Sequence, residues 1–403
     1  MSYFEDYFDK IIFIVVILLV AIGLVSIYSS TIETQPGIFY KQLGWAAVGL
    51  ICMLMMLFIP LRVLQQISWW TYFPSLILLV AVLVFGKRVY GSLSWFGIGG
   101  VGIQPSEIAK VTTFLALAGF LSKTNVRLNN LKDVLIAGAI VAGPVCLIML
   151  QPDFGTALTF VGTFVFILYW GNASQLLILA LISPVIVAIA ALIGPTAFII
   201  SLILVGVVLY LAKENRLIAS LLFGLNIVIG FFVQSFYLKL PLYQQKRIST
   251  FLDPNNDPLG AGYNVIQAKV AIGSGGIFGK GFMQGTQTQL SFIPKQWTDF
   301  IFCVFGEEFG FVGASLVLIL FAILIFHGLS LSTMSKNKFG SFLALSFTTL
   351  FAIHTFINIG MSIGLIPVIG IPLPFLSYGG SALVSYFIIA GILMNVYANR
   401  KQY

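Results

Sequence analysis

Charged residues make up only 8% of this 403-residue chain, against 59% hydrophobic ones, and that scarcity excludes a string of soluble domains. The three cysteines, Cys52, Cys146 and Cys303, all lie inside apolar runs, where a thiol behaves as a small hydrophobe, so no disulfide framework is expected. Two histidines, His327 and His354, stand alone without a second ligand at metal spacing, and each reads as a hydrogen-bonded helix residue with no assigned role. Basic residues are scattered singly with no sustained tract, which excludes nucleic acid as a partner despite a net charge of +8. The apolar runs do not alternate with polar residues, which excludes a membrane barrel.

What is present is a series of apolar runs long enough to cross a bilayer as helices. The expected spans are 11–30, 43–60, 69–86, 106–122, 134–150, 154–170, 175–193, 196–212, 216–236, 300–327, 342–364 and 379–398, giving an all-α polytopic membrane protein with about twelve spans. The first run follows acidic Glu5, Asp6 and Asp9 and lacks a small-residue cleavage site, so it is expected to remain as a span. With the N-terminus in the cytoplasm, eleven cations fall on inside segments, while Lys41, Lys87 and Arg88 fall on short outside loops. Both termini are then cytoplasmic. The chain divides into an N-terminal bundle (1–236), a large extracytoplasmic loop (237–299) and C-terminal helices (300–403).

On this topology several ionisable residues reach the outer rim. An acidic or basic residue at a helix centre costs about 2.5–3.5 kcal/mol on insertion scales, so each is a functional candidate. Asp299 opens the 300–327 span, Asp153 precedes the 154–170 span, and Glu107 and Lys110 share one face of the 106–122 span at a spacing that allows pairing. Helix capping competes with function for both aspartates, and Thr298 offers an alternative cap beside Asp299. Glu307 and Glu308 lie deeper, near mid-bilayer, where at least one should face the bundle interior.

The long loop carries Gly273-Ser274-Gly275-Gly276-Ile277-Phe278-Gly279-Lys280-Gly281, which fails as a nucleotide-binding P-loop because Ser274 and Gly281 occupy defining positions. Backbone amides beside Lys269, Lys280 and Lys295 could hold a pyrophosphate, and flexible exposed turns are the plainer alternative. Gln244-Gln245-Lys246-Arg247 begins a basic, amphipathic stretch suited to the membrane surface, and Arg247 offers a bidentate group to phosphate.

These residues carry a resemblance. Asp253-Pro254, Asp257 to Tyr263, Gln267 to Gly276, Gly285-Thr286-Gln287-Thr288-Gln289-Leu290 and Thr298-Asp299-Phe300-Ile301-Phe302 resemble the SEDS family of shape, elongation, division and sporulation proteins. So do Gln104 to Lys110, Gln151 to Gly155, and Pro372-Leu373-Pro374-Phe375-Leu376-Ser377-Tyr378-Gly379-Gly380-Ser381. The Gly285 to Leu290 wording is closer to the elongation branch than to the division branch. Two features depart from the pattern: roughly ten spans are usual, which leaves a surplus pair within 175–236, and Lys295-Gln296-Trp297-Thr298 stands where Glu-x-His-Thr is usual.

The resemblance implies a peptidoglycan glycosyltransferase that polymerises lipid II outside the membrane beside a class B penicillin-binding protein. It places the essential acid on Asp299 and the cavity positions on Glu107, Lys110 and Asp153. Asp299 is then a general base for the acceptor sugar hydroxyl in one inverting displacement of polyprenyl pyrophosphate, or a ligand for a divalent cation such as Mg2+ or Mn2+. Lys110, Arg247 or that cation would neutralise the leaving group, and Lys269 and Lys280 of the glycine-rich loop are the further candidates for binding substrate. A lipid II flippase or transporter and a partner-recruiting scaffold are the rival classes.

Overall fold

The computed structural model describes residues 7–89, 92–98, 101–212, 216–240, 242–252 and 261–401. Twelve long helices dominate them: α1 (Lys10–Thr31), α2 (Pro36–Leu57), α3 (Leu61–Phe85), α4 (Pro105–Leu121), α5 (Leu131–Leu150), α6 (Phe154–Trp170), α7 (Gln175–Ile193), α8 (Pro195–Leu211), α9 (Arg216–Tyr237), α13 (Ile301–Met334), α14 (Lys338–Ser362) and α15 (Gly380–Ala398). Shorter helices α10 (Leu242–Leu252), α11 (Ala261–Ser274) and α12 (Thr286–Gln289) lie between α9 and α13. Nine of the helices are long and apolar enough to cross a membrane, with α6 and α8 shorter apolar ones. The chain is a multi-pass helical membrane protein, and each expected span has a helix.

Two expectations change. Helices α2 and α3 begin seven and eight residues before the expected spans, at Pro36 and Leu61, because a proline at or just before the first turn starts each helix ahead of its apolar run. The segment joining α3 to α4 is not simple loop but a small antiparallel sheet, β1 (Lys87–Val89), β2 (Ser92–Ile98) and β3 (Val101–Ile103), in the order β1-β2-β3. The β-branched and aromatic side chains of this stretch suit a pleated surface better than a helix.

Contacts divide the chain into two compact units, Met1–Val126 with Leu135–Phe164 and Asn264–Tyr403, and Arg127–Val134 with Val165–Tyr263. In the first unit every residue of α4 except Ile108 is buried, so the Glu107–Lys110 helix is surrounded by protein instead of lipid. Water drives no apolar association inside a bilayer, and close backbone approach takes its place. A Cβ on Gly49 of α2 would stand 2.1 Å from the Phe387 ring of α15, and one on Gly391 of α15 would stand 2.5 Å from the Met53 carbonyl. These glycines let the two helices touch.

Helix α13 is broken at Gly310 (φ 64°, ψ −160°). An unbroken helix would pair the amides of Phe311 and Val312 with the carbonyls of Glu307 and Glu308. Instead Phe311 and Val312 donate to the carbonyls of Gly276 and Ile277 at 2.9 and 3.1 Å, and the Glu307 and Glu308 carbonyls accept from Lys280 and Gly281 at 3.0 Å each. The glycine-rich segment is therefore inserted into the helix ladder. A Cβ at Gly275 or Gly279 would meet the Gly306 or Glu308 carbonyl at 2.2 or 2.0 Å, which explains the glycines. This corrects both sequence readings of the segment: the amides of Gly279, Lys280 and Gly281 are occupied by protein carbonyls, and the backbone is not a free turn.

The second unit holds α7, α8 and α9, packed on Leu176, Val187, Val205, Leu209 and Leu222. Ser183 and Asn226 form a buried pair there, with Asn226 Nδ2 donating at 3.0 Å. The break between α7 and α8 is Gly194 followed by Pro195, which closes one helix and opens the next.

Candidate active site

The segment ending at Asp299 is held by backbone contacts on several sides. Ser377 Oγ donates to the Thr298 carbonyl at 2.6 Å, Tyr378 N to the Trp297 carbonyl at 2.8 Å, and Asn358 Nδ2 to the Asp299 carbonyl at 3.0 Å. The Asp299 side chain is half-buried, and its Oδ2 faces Gly370, where a Cβ would lie 3.5 Å away. Helix α13 is preceded by Phe300 with no side-chain cap, and Thr298 Oγ1 donates to the Lys295 carbonyl. Phe300 occupies the N-cap position of α13, so neither Asp299 nor Thr298 stands there.

The Glu107–Lys110 pair is formed, with Nζ 2.8 Å from Oε1 and both residues at most 2% exposed. Among the described residues, Glu107 Oε2 is buried without a hydrogen-bond partner. Lys110 Nζ also lies 3.5 Å from His354 Nε2, and Tyr386 OH is 3.0 Å from His354 Nδ1. The structure thus buries Lys110 in a network and does not present it to solvent.

Asp153 takes the capping role. Its Oδ1 accepts from Thr156 N at 3.1 Å and its Oδ2 from Thr156 Oγ1 at 2.9 Å, while Gln104 Nε2, one residue before α4, reaches Oδ2 at 3.3 Å. Two residues on, a Cβ at Gly155 would meet Ile371 Cγ1 at 3.0 Å and the Ile369 carbonyl at 3.1 Å. The loop from Ile369 to Tyr378 therefore touches the Asp153 turn, the Lys110 network through Pro372, and Asp299.

The remaining sequence candidates separate. Lys280 Nζ is 2.8 Å from Glu307 Oε1, and Glu307 also accepts from Thr286 Oγ1, Gln287 N, Thr288 N and Thr288 Oγ1. That commits Lys280 to tying the loop to α13. The neighbouring Glu308 accepts from Ser29 Oγ of α1, and both acids are buried, facing polar protein and not mid-bilayer lipid. Lys269 is exposed on α11, its side chain lying against Gly364, and the adjacent Ala268 packs in the cluster that contains Phe300. The Arg247 side chain lies outside the described residues, as do residues 253–260. Among the described residues no group of three or more His, Cys, Asp and Glu side chains gathers to hold a metal ion.

A sequence model of the FtsW, RodA and SpoVE family, described as cell cycle protein, matches residues 9–196 and 193–402. The chain belongs to this family. The FtsW/RodA/SpoVE relatives include the peptidoglycan glycosyltransferase MrdB of Escherichia coli K12, 35% identical over 98% of this chain and 96% of that protein. The peptidoglycan glycosyltransferase RodA of Treponema pallidum is 32% identical over 98% of each chain, and the stage V sporulation protein E of Bacillus subtilis is 34% identical over 96% of each. Among solved structures, a chain of a peptidoglycan synthase complex that coordinates polymerization and crosslinking is 26% identical, with a TM-score of 0.76 over 98% of this chain and 99% of that one. Thermus thermophilus RodA has the same fold, with a TM-score of 0.65 at 23% identity over 98% of each chain.

In this family member, sequence reasoning passed over Tyr386 and Asn358, and it read His354 as a hydrogen-bonded helix residue with no role; the hydrogen bonding is observed. The available signal was a pair of large polar side chains four residues apart, His354 and Asn358, in the mostly apolar second half of α14.

Proposed function

We propose that this peptidoglycan glycosyltransferase polymerises lipid II at the outer face of the cytoplasmic membrane during cell elongation, with Asp299 as the reacting acid. The observation that carries the reading is the state of Asp299: half-buried, one residue before the N-cap position of α13, and fixed by contacts to three successive carbonyls. A carboxylate so placed serves as general base. It takes the proton of the acceptor sugar hydroxyl as that oxygen bonds to the anomeric carbon and the bond to polyprenyl pyrophosphate breaks. The α-linked donor then yields a β-linked strand in one displacement.

Lys269, exposed beside the Phe300 cluster, is the cation for the departing pyrophosphate, while the buried Lys110 acts at longer range through its charge. A divalent cation would find one hard oxygen ligand in Asp299 and the others in the pyrophosphate, the mixed donor set Mg2+ commonly uses. The distribution of cations supports cytoplasmic termini and an extracytoplasmic site. The name of the similar synthase complex supports a class B transpeptidase as the partner.

The test uses purified chain with labelled lipid II, with and without the transpeptidase. Glycan strands support the enzyme, and lipid translocation without polymer supports the flippase class. Added Mn2+ should restore part of the rate of Asp299→Asn only if the acid is a cation ligand. A membrane-impermeant thiol reagent should label Asp299→Cys, in a chain lacking its native cysteines, from the periplasmic side, and labelling solely from the cytoplasm refutes the topology.

A further inference from the structure

Among the buried polar side chains of helix α14, His354 and Asn358 reach the site, and the proposed chemistry uses neither. Residues four apart share a helix face and stand about 6 Å apart along the axis. His354 Nε2 faces Lys110 Nζ at 3.5 Å, and its Nδ1 lies 3.0 Å from Tyr386 OH and 3.5 Å from the Pro372 carbonyl. A lysine ammonium has no lone pair, so Nε2 accepts, and the ring proton of a neutral histidine sits on Nδ1, toward the tyrosine oxygen and the carbonyl. One turn on, Asn358 Nδ2 donates to the carbonyls of Asp299 at 3.0 Å and Ile371 at 2.7 Å, which engages both amide hydrogens.

The two side chains thus reach opposite parts of the site and adjacent residues of one loop. His354 holds Lys110 and meets Pro372, while Asn358 holds Asp299 and meets Ile371. We propose that the His354–Asn358 face of α14 is the positioning element of the reaction centre, fixing the Lys110 network and the Asp299 backbone in one register through Ile371 and Pro372. This rests on Asp299 being the reacting acid. Neither residue touches substrate, and each acts through another: a displacement of about 1 Å at the reacting group costs roughly 100-fold in rate.

The test is steady-state polymerisation of lipid II by the purified full chain carrying His354→Leu, His354→Gln, Asn358→Leu or Asn358→Asp. Both Leu variants should lower kcat roughly 100-fold with KM within about threefold, because positioning affects the transition state more than binding. His354→Gln keeps an acceptor for Lys110 and should stay within about tenfold of the parent. Combining His354→Leu with Lys110→Ala should be no worse than Lys110→Ala alone. Unchanged kcat in both Leu variants, His354→Gln as damaged as His354→Leu, or losses that multiply in the double variant would overturn the proposal. Where a Leu variant does not fold, the shape-conserving pair carries the test. His354→Gln should remain near the parent while Asn358→Asp, which turns an acceptor toward two carbonyls, falls about 100-fold, and the reverse ranking overturns it. Full activity in Asp299→Asn would remove the underlying assignment, whereas an inactive Asp299→Asn beside fully active Leu variants would remove the positioning role alone.

Discussion

Two ion pairs built on buried carboxylates in the first unit show how differently the same chemistry can be used. Glu307 receives five hydrogen bonds, from Lys280, Thr286, Gln287 and Thr288, so both its oxygens are satisfied by the loop it anchors. Glu107 receives one bond from Lys110, keeps a second oxygen without a partner among the described residues, and belongs to a network that reaches the Asp299 loop. A saturated carboxylate has no further donor to accept and works as a structural clip. A half-satisfied buried one bears a cost of about 1–3 kcal/mol, which calls for a functional explanation.

The contrast can be broken or sharpened by substitution. The largest effect is expected for Lys110→Ala, which leaves the Glu107 charge buried and unpaired: polymerisation should fall at least 100-fold, with a stability loss of about 3–5 kcal/mol by denaturant titration. Glu307→Gln should cost about 3 kcal/mol in the same titration, yet the folded fraction should polymerise within about threefold of the parent. Loss of activity at full stability there would erase the distinction between the two pairs.

Gly279→Val comes next. It puts a side chain at φ 82° where a Cβ meets the Glu308 carbonyl at 2.0 Å, so a loss of about 1–3 kcal/mol and faster proteolysis near residue 279 are expected. The smallest effect belongs to Asn226→Leu in the second unit, where the Asn226 amide donates to Ser183. A stability change of about 0.6 kcal/mol with unchanged polymerisation is expected, and a large activity loss there would show that the second unit takes part in the reaction.

The helical membrane architecture was legible because membrane-length apolar runs leave few alternatives for the backbone. The Glu107–Lys110 pair was legible too, since helical spacing alone brings the side chains together. The insertion of Gly275 to Gly281 into α13 was not, because it depends on a helix break at Gly310 and on contacts between segments about 30 residues apart, and glycine-rich sequence suits turns, nests and close packing alike. Local signals also failed to rank the two aspartates: both precede helices, and only the structure shows that Asp153 caps its helix while Phe300, not Asp299, takes the N-cap position of α13. Asn358 escaped notice, and His354 was left without a role, because a lone polar residue in a membrane helix is commonly satisfied locally, whereas these two reach across to Lys110 and Asp299.

The most direct test of the central claim compares parent chain with Asp299→Asn, both purified to the same folded fraction and supplied with labelled lipid II. Removal of a general base should slow strand formation by about 100- to 10,000-fold while lipid II still binds within about threefold. Strand formation at the parent rate in Asp299→Asn would contradict the account.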